Sequence, residues 1–454
     1  MSIVFPTLQC HFSFNVPNYM KLYKSICTGV VALCVLTGLA LAQDQPHAFT
    51  GAHIIPITGS PIDNGVLVVH RGKIVAVGAA DRVNIPSNAV RIDATGKIIM
   101  PGLVDTHSHI GEGDGGDASS PMHPDVRILD AINPNSDSFK KARTGGVTTA
   151  NVMPGSGLLM SGQTVYLKLR DANKVEDMLM VVDEQTGIFG GLKMANGTNP
   201  LRAAGMPGTR AKSAALVRSL FVKAQEYKKK IDDAKGDASK MPARDLQMET
   251  LVEVLEGKRI VHNHTHRHDD ILTTIRLSQE FGYRLVLHHV SEAWKVADEI
   301  AAAGVHASII GLDSPGGKLE ATDIRDQNGA YLEKAGVNTA YHTDDGITDS
   351  RLFFRMAAFG VRAGMSREKA LESLTIAGAR MLDLDKRVGS LEPGKDADFI
   401  LLSGDPFSVY THVLETWIDG KLVFDRSNPE HLKFHTGGHR VFRGEYHFHN
   451  EGEF

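Results

Sequence analysis

A long middle segment, residues 102–380, alternates short apolar runs with stretches of helical character, and this pattern limits the folds open to the chain. The run 259–264 precedes a stretch with apolar residues at helical spacing, and the run 284–289 repeats the pattern. Repeated strand–helix units over this length favour a (β/α) barrel or an open parallel sheet. Histidines stand at the C-terminal ends of these runs, where barrels build their active sites. The pattern therefore favours an α/β fold with a TIM-like barrel.

The segments on either side of this middle part have the sequence pattern of β-strands. Runs such as 65–70 and 73–78 alternate apolar and polar residues and are separated by turn residues, and the run 413–424 repeats this late in the chain. Two β-rich ends that flank a long middle part predict one discontinuous domain. We expect a small β-sandwich built from residues 43–101 plus 387–426, and a barrel over 102–386.

Two further segments are charged or rich in histidine and read as solvated. Residues 228–243 combine charges with glycine and proline, which predicts an exposed insertion between helices. The C-terminal tail, 427–454, contains histidines among glycines and charges, which indicates a flexible or peripheral segment rather than a ligand set. The tail histidines are His431, His435, His439, His447 and His449.

The first 42 residues indicate a secretory signal peptide. A short basic region after Met20 precedes the apolar stretch 26–41, and the small-x-small sequence ending at Ala42 follows. The alternative, a membrane anchor, needs about 20 apolar residues, and this stretch is shorter. Residues 1–19 do not fit ahead of a signal, so Met20 is an alternative start. We expect a secreted or periplasmic protein with no stable membrane span after removal of the signal.

Cleavage after Ala42 would remove every cysteine of the chain. The three cysteines are Cys10, Cys27 and Cys34. The mature protein would then have neither a thiolate ligand nor a cysteine nucleophile, so nitrogen and oxygen atoms must hold any metal ion. The net charge of −4 includes no basic stripe, so nucleic acid is not an expected partner. A small-molecule substrate is expected, and a homo-oligomer is compatible with the sequence.

A pair of histidines closes the first apolar run of the middle segment, in Pro-Gly-Leu-Val-Asp-Thr-His107-Ser-His109. Alternate residues of a strand point to the same face, so the two imidazoles can reach one metal ion together. This run resembles the first-strand signature of the amidohydrolase superfamily. The phrase Gly-Ser-Leu-Glu-Pro-Gly-Lys-Asp-Ala-Asp, from Gly389, is also typical of those proteins. The resemblance covers roughly residues 48–426.

Two further phrases resemble the imidazolonepropionase-related branch of that superfamily, which includes prolidase-like peptidases. They are Gly191-Leu-Lys-Met-Ala-Asn-Gly and His264-Thr-His-Arg-His-Asp-Asp-Ile. The family phrase usually continues Gly-Glu-Asn-Pro, whereas this chain has Thr198 in place of the glutamate. If that glutamate serves the metal or the substrate, this role has no equivalent at Thr198.

The resemblance implies a distorted (β/α)8 barrel with one or two divalent metal ions, and Zn²⁺ is the expected ion. The implied ligands are His107 and His109 on the first strand, Lys193 as a carboxylated bridge, His264 on strand five, His289 on strand six and Asp344 on strand eight. His262, His266 and His288 are neighbouring candidates that compete with His264 and His289. Lys193 has the alternative of a surface or salt-bridging lysine. His266 and Arg267 are expected to contact substrate, the alternative being ordinary loop polarity.

The implied mechanism is hydrolysis by metal-activated water. A divalent ion lowers the pKa of bound water to about 7 and polarises a carbonyl. Asp344 would accept the proton of that water and deliver it to the leaving group. We expect an exported amidohydrolase that hydrolyses an amide or peptide-like bond, with cyclic amides included. Arg267 stands where many deaminases have a glutamate and suits an anionic substrate group instead.

Three other functional hypotheses are compatible with the sequence. One lies within the fold, a heterocycle deaminase or an imidazolonepropionase-type ring hydrolase. The second is a non-catalytic scaffold, and the third is an extracytoplasmic metal- or solute-binding protein, for which the histidine-rich tail would bind the metal.

Overall fold

The computed structural model of the chain describes residues 45–113, 115–201, 206–311 and 319–437. The predicted signal peptide and the tail histidines from His439 onward lie outside these residues. The described residues from Pro46 onward belong to one compact unit. Among the described residues no helix is long and apolar enough to cross a membrane.

Strands from both ends of the chain form one eight-stranded sheet. Five come from the N-terminal part: β1 His47–Ile54, β2 Ile62–His70, β3 Lys73–Ala79, β4 Val90–Asp93 and β5 Ile98–Pro101. Three come from the C-terminal part: β15 Phe399–Leu402, β16 Val413–Ile418 and β17 Lys421–Asp425. The order is β17-β16-β15-β5-β1-β2-β3, and β4 pairs with β1. β15 runs antiparallel to β5 and joins the two ends of the chain. A packed two-sheet sandwich and the domain boundaries stay predictions.

The middle of the chain supplies the other nine strands and most of the helices. The strands are β6 Leu103–Ser108, β7 Val147–Val152, β8 Met160–Gln163, β9 Val165–Lys168, β10 Leu192–Ala195, β11 Val261–Thr265, β12 Leu285–His289, β13 His306–Ile309 and β14 Thr339–Tyr341. The helices are α1 Asp137–Thr144, α2 Arg210–Ala234, α3 Leu246–Leu255, α4 His268–Phe281, α5 Ala297–Ala302, α6 Asn328–Lys334, α7 Phe353–Arg362, α8 Arg367–Ser373 and α9 Ile376–Met381, with α10 Pro429–Thr436 near the C-terminus.

Parallel pairing dominates this part, as strand–helix–strand connections require. β10 to β14 follow one another in a sheet that β8 closes on one side, and β6, β7 and β9 form a second sheet. The first and last strands meet at their C-terminal ends, because Asp344 N–H donates to His107 O at 2.9 Å and His109 N–H donates to Asp345 O at 2.9 Å. The result is a barrel-like α/β arrangement. Hydrogen bonding of the described residues divides it between two sheets and forms no single closed ring.

Helix α2 illustrates how the outer layer packs. Thr209 caps its first turn, accepting from Lys212 N–H, and its apolar residues recur at helical spacing. Phe221 stacks on Phe281 and Tyr283, with ring centroids 5.1 and 5.0 Å apart. The segment 228–243, predicted as an exposed insertion between helices, is mostly exposed, and α2 continues into it as far as Ala234. Ion pairs from Lys228 and Lys229, each to the residue four positions on, stabilise this exposed end.

Candidate metal centre

The strand ends of the middle part bring a cluster of buried imidazoles together. β6 carries His107, β11 carries His262 and His264, and β12 ends in His288 and His289. Parallel register places His264 opposite His288 on the neighbouring strand. None of these side chains has more than a few per cent of its surface exposed. The prediction that strand-end histidines converge agrees with this arrangement.

The carboxylate of Asp344 lies between the two histidines of the first strand. Its Oδ1 is 2.9 Å from His109 Nε2 and 3.3 Å from His107 Nε2. His109 Nδ1–H donates to the backbone carbonyl of Met153 at 2.7 Å, which fixes the ring. One ligand atom from each of His107, His109 and Asp344 lies within 4.8 Å of the others. Two nitrogens and one oxygen therefore converge on one point.

Lys193 extends from β10 into the same cluster. Its Nζ lies 3.0 Å from His107 Nε2 and 3.1 Å from Met153 Sδ, and the side chain has no exposed surface. Lys193 is therefore not a surface lysine, which was one of the alternatives for this residue. A free ammonium group here would repel a cation, whereas a carboxylated lysine would present two oxygens.

A second group lies at the ends of β11 and β12. His264, His266 and His289 each place one nitrogen within 4.8 Å of the others. The His264 and His289 ring centroids are 4.3 Å apart, and His266 Nδ1 lies 2.8 Å from Ser291 Oγ. His289 Nδ1 is 4.0 Å from Asp344 Oδ2, so this group adjoins the first. All six predicted ligands therefore meet at the carboxyl ends of the strands, with His266 beside them.

Backbone conformation at two of these residues is unusual. His289 has φ of 68° and Asp344 has φ of 51°, both in the left-handed region that side chains disfavour. At His289 the chain leaves the alternation of the strand, so His288 and His289 both contribute to the cluster. Non-glycine residues hold such conformations where the surrounding structure imposes them, and these positions concentrate at functional sites.

A buried carboxylate under the site ties the first strand to the last. Asp105 Oδ1 accepts from the backbone N–H of His107 at 3.3 Å and of Thr343 at 3.1 Å. Burial raises the pKa of Asp105 to about 7. A second buried contact joins Lys141 to the residue after Asp344: Lys141 Nζ lies 2.8 Å from Asp345 Oδ1. These contacts position the backbone on either side of Asp344.

Burial favours the neutral form of four imidazoles in the cluster, those of His107, His262, His289 and His342. It lowers the pKa of His107 well below the usual range, with Lys193 adding to the effect, and it lowers that of His289 in the same way. The pKa values of His262 and His342 fall to about 3 for the same reason. Neutral imidazole is the form that binds metal, because the ring nitrogen must offer a lone pair.

Arg267 stands at the rim and outside the histidine cluster. Its guanidinium donates to both carboxylate oxygens of Asp269, at 3.0 and 2.8 Å, and 40% of its side chain is exposed. The structure thus brings His266 to the predicted ligands but pairs Arg267 with an acidic neighbour. Near Thr198, the Glu320 carboxylate accepts from the backbone N–H of Thr198 at 2.7 Å, so an acidic group from another segment occupies that neighbourhood.

Sequence reasoning missed three members of the cluster. His342 lies against His289, with 3.2 Å between His342 Nε2 and His289 Nδ1, and Ser308 Oγ lies 2.7 Å from His342 Nδ1. Tyr166 contacts His262, with 2.9 Å between its hydroxyl and His262 Nε2. His342 precedes the predicted ligand Asp344 by two positions, and the same spacing argument applied to His107 and His109 would have found it. Tyr166 and Ser308 carry no comparable signal in the sequence.

A cavity of about 500 Å³ lies on the other side of these strands, between α2 and α4. Met194 and Asn263 contribute to its lining, and each is the strand neighbour of a cluster residue. Because successive side chains of a strand point to opposite faces, this cavity is separated from the cluster by the sheet itself.

The residues present fit a divalent metal ion. Imidazole nitrogens and a carboxylate are the ligands that Zn²⁺ and similar ions prefer. Among the described residues, Nε2 of the buried His289 has no hydrogen-bond partner. Leaving such an atom unpaired costs about 1–3 kcal/mol, which coordination would offset. The arrangement can therefore hold a divalent ion.

Comparison with known proteins agrees with this chemistry. The amidohydrolase family matches residues 98–423. The amidohydrolase tasK of Hapsidospora irregularis is 27% identical over 391 residues, which are 80% of this chain and 40% of that protein. The chain thus spans less than half the length of that relative. An imidazolonepropionase of Fusobacterium nucleatum is 22% identical over 401 residues, 80% of this chain and 92% of that protein.

A solved structure supports the fold over most of the chain. The amidohydrolase of Thermotoga maritima superposes with a TM-score of 0.78 at 36% identity, covering 84% of this chain and all of that one. The TIM-barrel-like α/β fold and the resemblance to the imidazolonepropionase-related branch are confirmed. The chain therefore belongs to the amidohydrolase family and is a hydrolase that acts on carbon–nitrogen bonds.

Proposed function

We propose that the protein is an exported metal-dependent amidohydrolase that hydrolyses an amide or peptide-like bond of a small molecule, cyclic amides included. The observation that carries the proposal is the Asp344 carboxylate, 2.9 Å from His109 Nε2 and adjoining both histidine groups. His107, His109 and Asp344 would hold one divalent ion, and His264 and His289 a second. Lys193, in carboxylated form, would bridge them.

The protein residues divide the chemical work. A bound divalent ion supplies an acidified water and polarises the substrate carbonyl. Asp344 takes the proton of the attacking water and delivers it to the leaving nitrogen, since its second oxygen, Oδ2, faces the His289 side of the cluster. His266, held at Nδ1 by Ser291, is placed to contact the substrate. Arg267 would bind a substrate carboxylate at the rim by exchanging Asp269 for it.

The experiment is a screen of metal-stripped protein reloaded with Zn²⁺. Aminoacyl-proline dipeptides, N-acyl amino acids and cyclic imides test the amide reading, while an aminopurine and an imidazolone test the ring-directed alternatives. Release of an amine or amino acid from an acyclic amide supports the proposal. Ammonia released from the aminopurine alone would replace it with a deaminase, which the names of several relatives include. Metal-loaded protein inert on every compound would overturn it.

Export has its own test. The predicted signal ends at Ala42, and we propose that the mature chain begins at Gln43. The intact mass of protein recovered from outside the cytoplasm of the native cell measures this directly. A mature chain that retains Cys27 and Cys34 would contradict both cleavage and the expectation of a thiol-free enzyme.

A further inference from the structure

Two further buried histidines, His288 and His342, adjoin the predicted ligand His107 and have no part in the proposed reaction. His288 and His342 come from the ends of β12 and β14, and they meet His107 on β6. We call these three residues the deep triad. One nitrogen from each lies within 4.8 Å of the others, and all three side chains are buried.

Ring positions in the deep triad match those of imidazoles around one ion. The centroid of His107 lies 5.0 Å from that of His288 and 4.9 Å from that of His342, and the last two are 5.6 Å apart. Three imidazoles bound tetrahedrally at a metal–nitrogen distance of about 2.0–2.1 Å have centroids about 5 Å apart. The spacing therefore leaves room for an ion with only small side-chain adjustments.

Two nitrogens of the deep triad have no hydrogen-bond partner among the described residues. They are Nδ1 of His107 and Nδ1 of His288, whose side chains are 1% and 0% exposed. An unpaired buried imidazole nitrogen costs about 1–3 kcal/mol, and here two of them belong to one group. A cation that accepts both lone pairs accounts for their placement.

A hydrogen-bonded chain behind His288 fits the role of a metal ligand. His288 Nε2 lies 2.9 Å from His262 Nδ1, and His262 Nε2 lies 2.9 Å from the hydroxyl of Tyr166. If His288 Nε2–H donates to His262 and His262 Nε2–H donates to Tyr166, His288 Nδ1 carries no proton and offers its lone pair. Metal-binding histidines usually donate their second N–H to such a partner, which fixes tautomer and orientation. In the opposite direction, His288 Nδ1–H would be an unpaired buried donor.

His342 is supported in the same manner. Its Nδ1 lies 2.7 Å from Ser308 Oγ, and Ser308 Oγ lies 2.6 Å from Thr106 Oγ1. With Nδ1–H donated to Ser308, the lone pair sits on Nε2, where His289 Nδ1 approaches to 3.2 Å. An ion would take over this lone pair from His289, whose Nδ1 also faces Asp344 Oδ2 at 4.0 Å.

We infer that the deep triad binds a divalent cation of borderline softness, such as Zn²⁺ or Co²⁺, separate from the ions proposed for catalysis. His107 would connect the two sites as an imidazolate: its ring proton is released to solvent on metal binding, and it then offers Nδ1 to the deep ion and Nε2 to the catalytic one. All three ligands are imidazoles, so the site disfavours Mg²⁺ and Ca²⁺, which prefer oxygen.

The test counts bound ions. Metal-stripped, folded full-length protein is titrated with Co²⁺, and bound equivalents are measured by elemental analysis and by the absorption of the bound ion. Wild type should bind one equivalent more than His288→Gln and His342→Gln. Tyr166→Phe should keep the site but weaken its affinity about 10- to 100-fold, as for other changes behind a ligand. His306→Gln, on β13 outside the cluster, is the matched control and should bind as wild type does.

The same titration separates this inference from the proposed function. His264→Ala removes a catalytic ligand, so it should lose an equivalent that His288→Gln retains. If His264→Ala loses an ion while His288→Gln and His342→Gln keep the wild-type number, the catalytic site stands and the deep triad is refuted. Crystals of Zn²⁺-loaded wild type give a second measurement that needs no variant. An anomalous peak between the three rings supports the site, and an occupied catalytic site without that peak overturns it.

Discussion

At the scale of single residues, the chemistry depends on where one carboxylate is held. Asp344 touches the imidazoles of His107 and His109, and its backbone N–H is bonded to the carbonyl of His107. Backbone and side chain are therefore fixed by the same strand. A carboxylate in this position can receive a proton without moving, which is the condition for general-base catalysis.

Replacing this carboxylate tests its role in proton transfer. Asp344→Asn keeps the size and one oxygen but removes the base, so kcat should fall about 10²- to 10⁴-fold. Steady-state kinetics on whichever amide the screen identifies, with bound metal measured in parallel, gives the result. Asp63→Asn changes a carboxylate that is 93% exposed and should leave kcat within about twofold. Near-wild-type turnover by metal-loaded Asp344→Asn would contradict the assignment.

Lys193 gives a prediction about covalent chemistry. If CO₂ carboxylates the lysine, protein prepared in ¹³C-bicarbonate should show a carbamate carbon resonance, and Lys193→Ala should lack it. The alanine variant should also bind fewer metal ions than wild type, while Lys193→Glu, which restores a carboxylate, should recover part of the loss. Lys229→Ala, at an exposed position, is the control. A wild-type protein with two ions and no carbamate signal would exclude the bridge.

The sequence was informative about residues wherever a spacing rule applied. His107 and His109 were paired by the alternation of strand side chains, and the resemblance placed His264, His289 and Asp344. The left-handed backbone at His289 was not predictable, because it arises from the turn that follows β12. Tyr166 was also missed, since its contact with His262 joins residues that are distant in the sequence.

At the scale of elements, the loop after β12 is fixed to the start of α4. Burial alone would raise the pKa of Glu292, but hydrogen bonds from the backbone and ring of His268 and from Lys295 lower it to about 2. An unfolded glutamate titrates near 4.5. The folded state therefore binds fewer protons than the unfolded state between these values. The stabilisation is complete above pH 4.5 and is lost as the pH falls towards 2.

Glu292→Gln should show this dependence. In metal-free protein at pH 7 it should lower the free energy of unfolding by about 1–3 kcal/mol, because charge-assisted bonds are lost in a buried site. The difference from wild type should shrink as the pH falls from 4.5 towards 2, measured by urea unfolding at several pH values. Glu430→Gln alters an exposed pair on α10 and should cost less than about 0.5 kcal/mol. A difference that stays constant over this pH range would contradict the titration of Glu292.

Elements were predicted well where periodicity was strong and poorly at their ends. β11, α4 and β12 match the runs recognised in the sequence. The helical stretch after β12 begins with a short 3-10 turn, Ala293–Lys295, and only then forms α5, because no side chain caps its start. Helix α2 extends to Ala234, into the segment that composition indicated as a solvated insertion, because i,i+4 ion pairs stabilise the helix there.

At the scale of the whole molecule, a buried ionic network joins the barrel-like part to the sheet made by the chain ends. Lys168 on β9 has no exposed surface and contacts three carboxylates, those of Asp396, Asp398 and Asp419, at 2.6, 3.1 and 2.7 Å. Burial alone would lower the pKa of the Lys168 ammonium group, but the three carboxylates raise it above its usual value. Segments that are distant in the sequence therefore meet in one buried ionic network.

Removing that cation should destabilise the entire fold. Lys168→Met would leave buried carboxylates without their main partner, and the free energy of unfolding should fall by about 3–5 kcal/mol. Thermal unfolding at pH 7 measures this, with Lys229→Met, which breaks an exposed pair, as the control of less than about 0.5 kcal/mol. An unchanged melting temperature for Lys168→Met would mean that the network contributes little to stability.

The order of the β-rich ends and the α/β middle segment could be predicted, because each has a clear pattern of apolar and polar residues. What the sequence could not give was the pairing of β5 with β15, which depends on tertiary packing rather than on local propensity. The division of the barrel strands between two sheets has the same origin. Register across such long separations has no signal in a single sequence.

The pairing of β5 with β15 also sets the order in which the molecule can be completed. β15 fills the space between β5 and β16, so until Phe399–Leu402 has been synthesised, β5 presents an open edge of unpaired backbone groups. Open edges of this kind recruit other strands and lead to aggregation. A chain that ends before Phe399 would therefore be prone to aggregation as well as inactive.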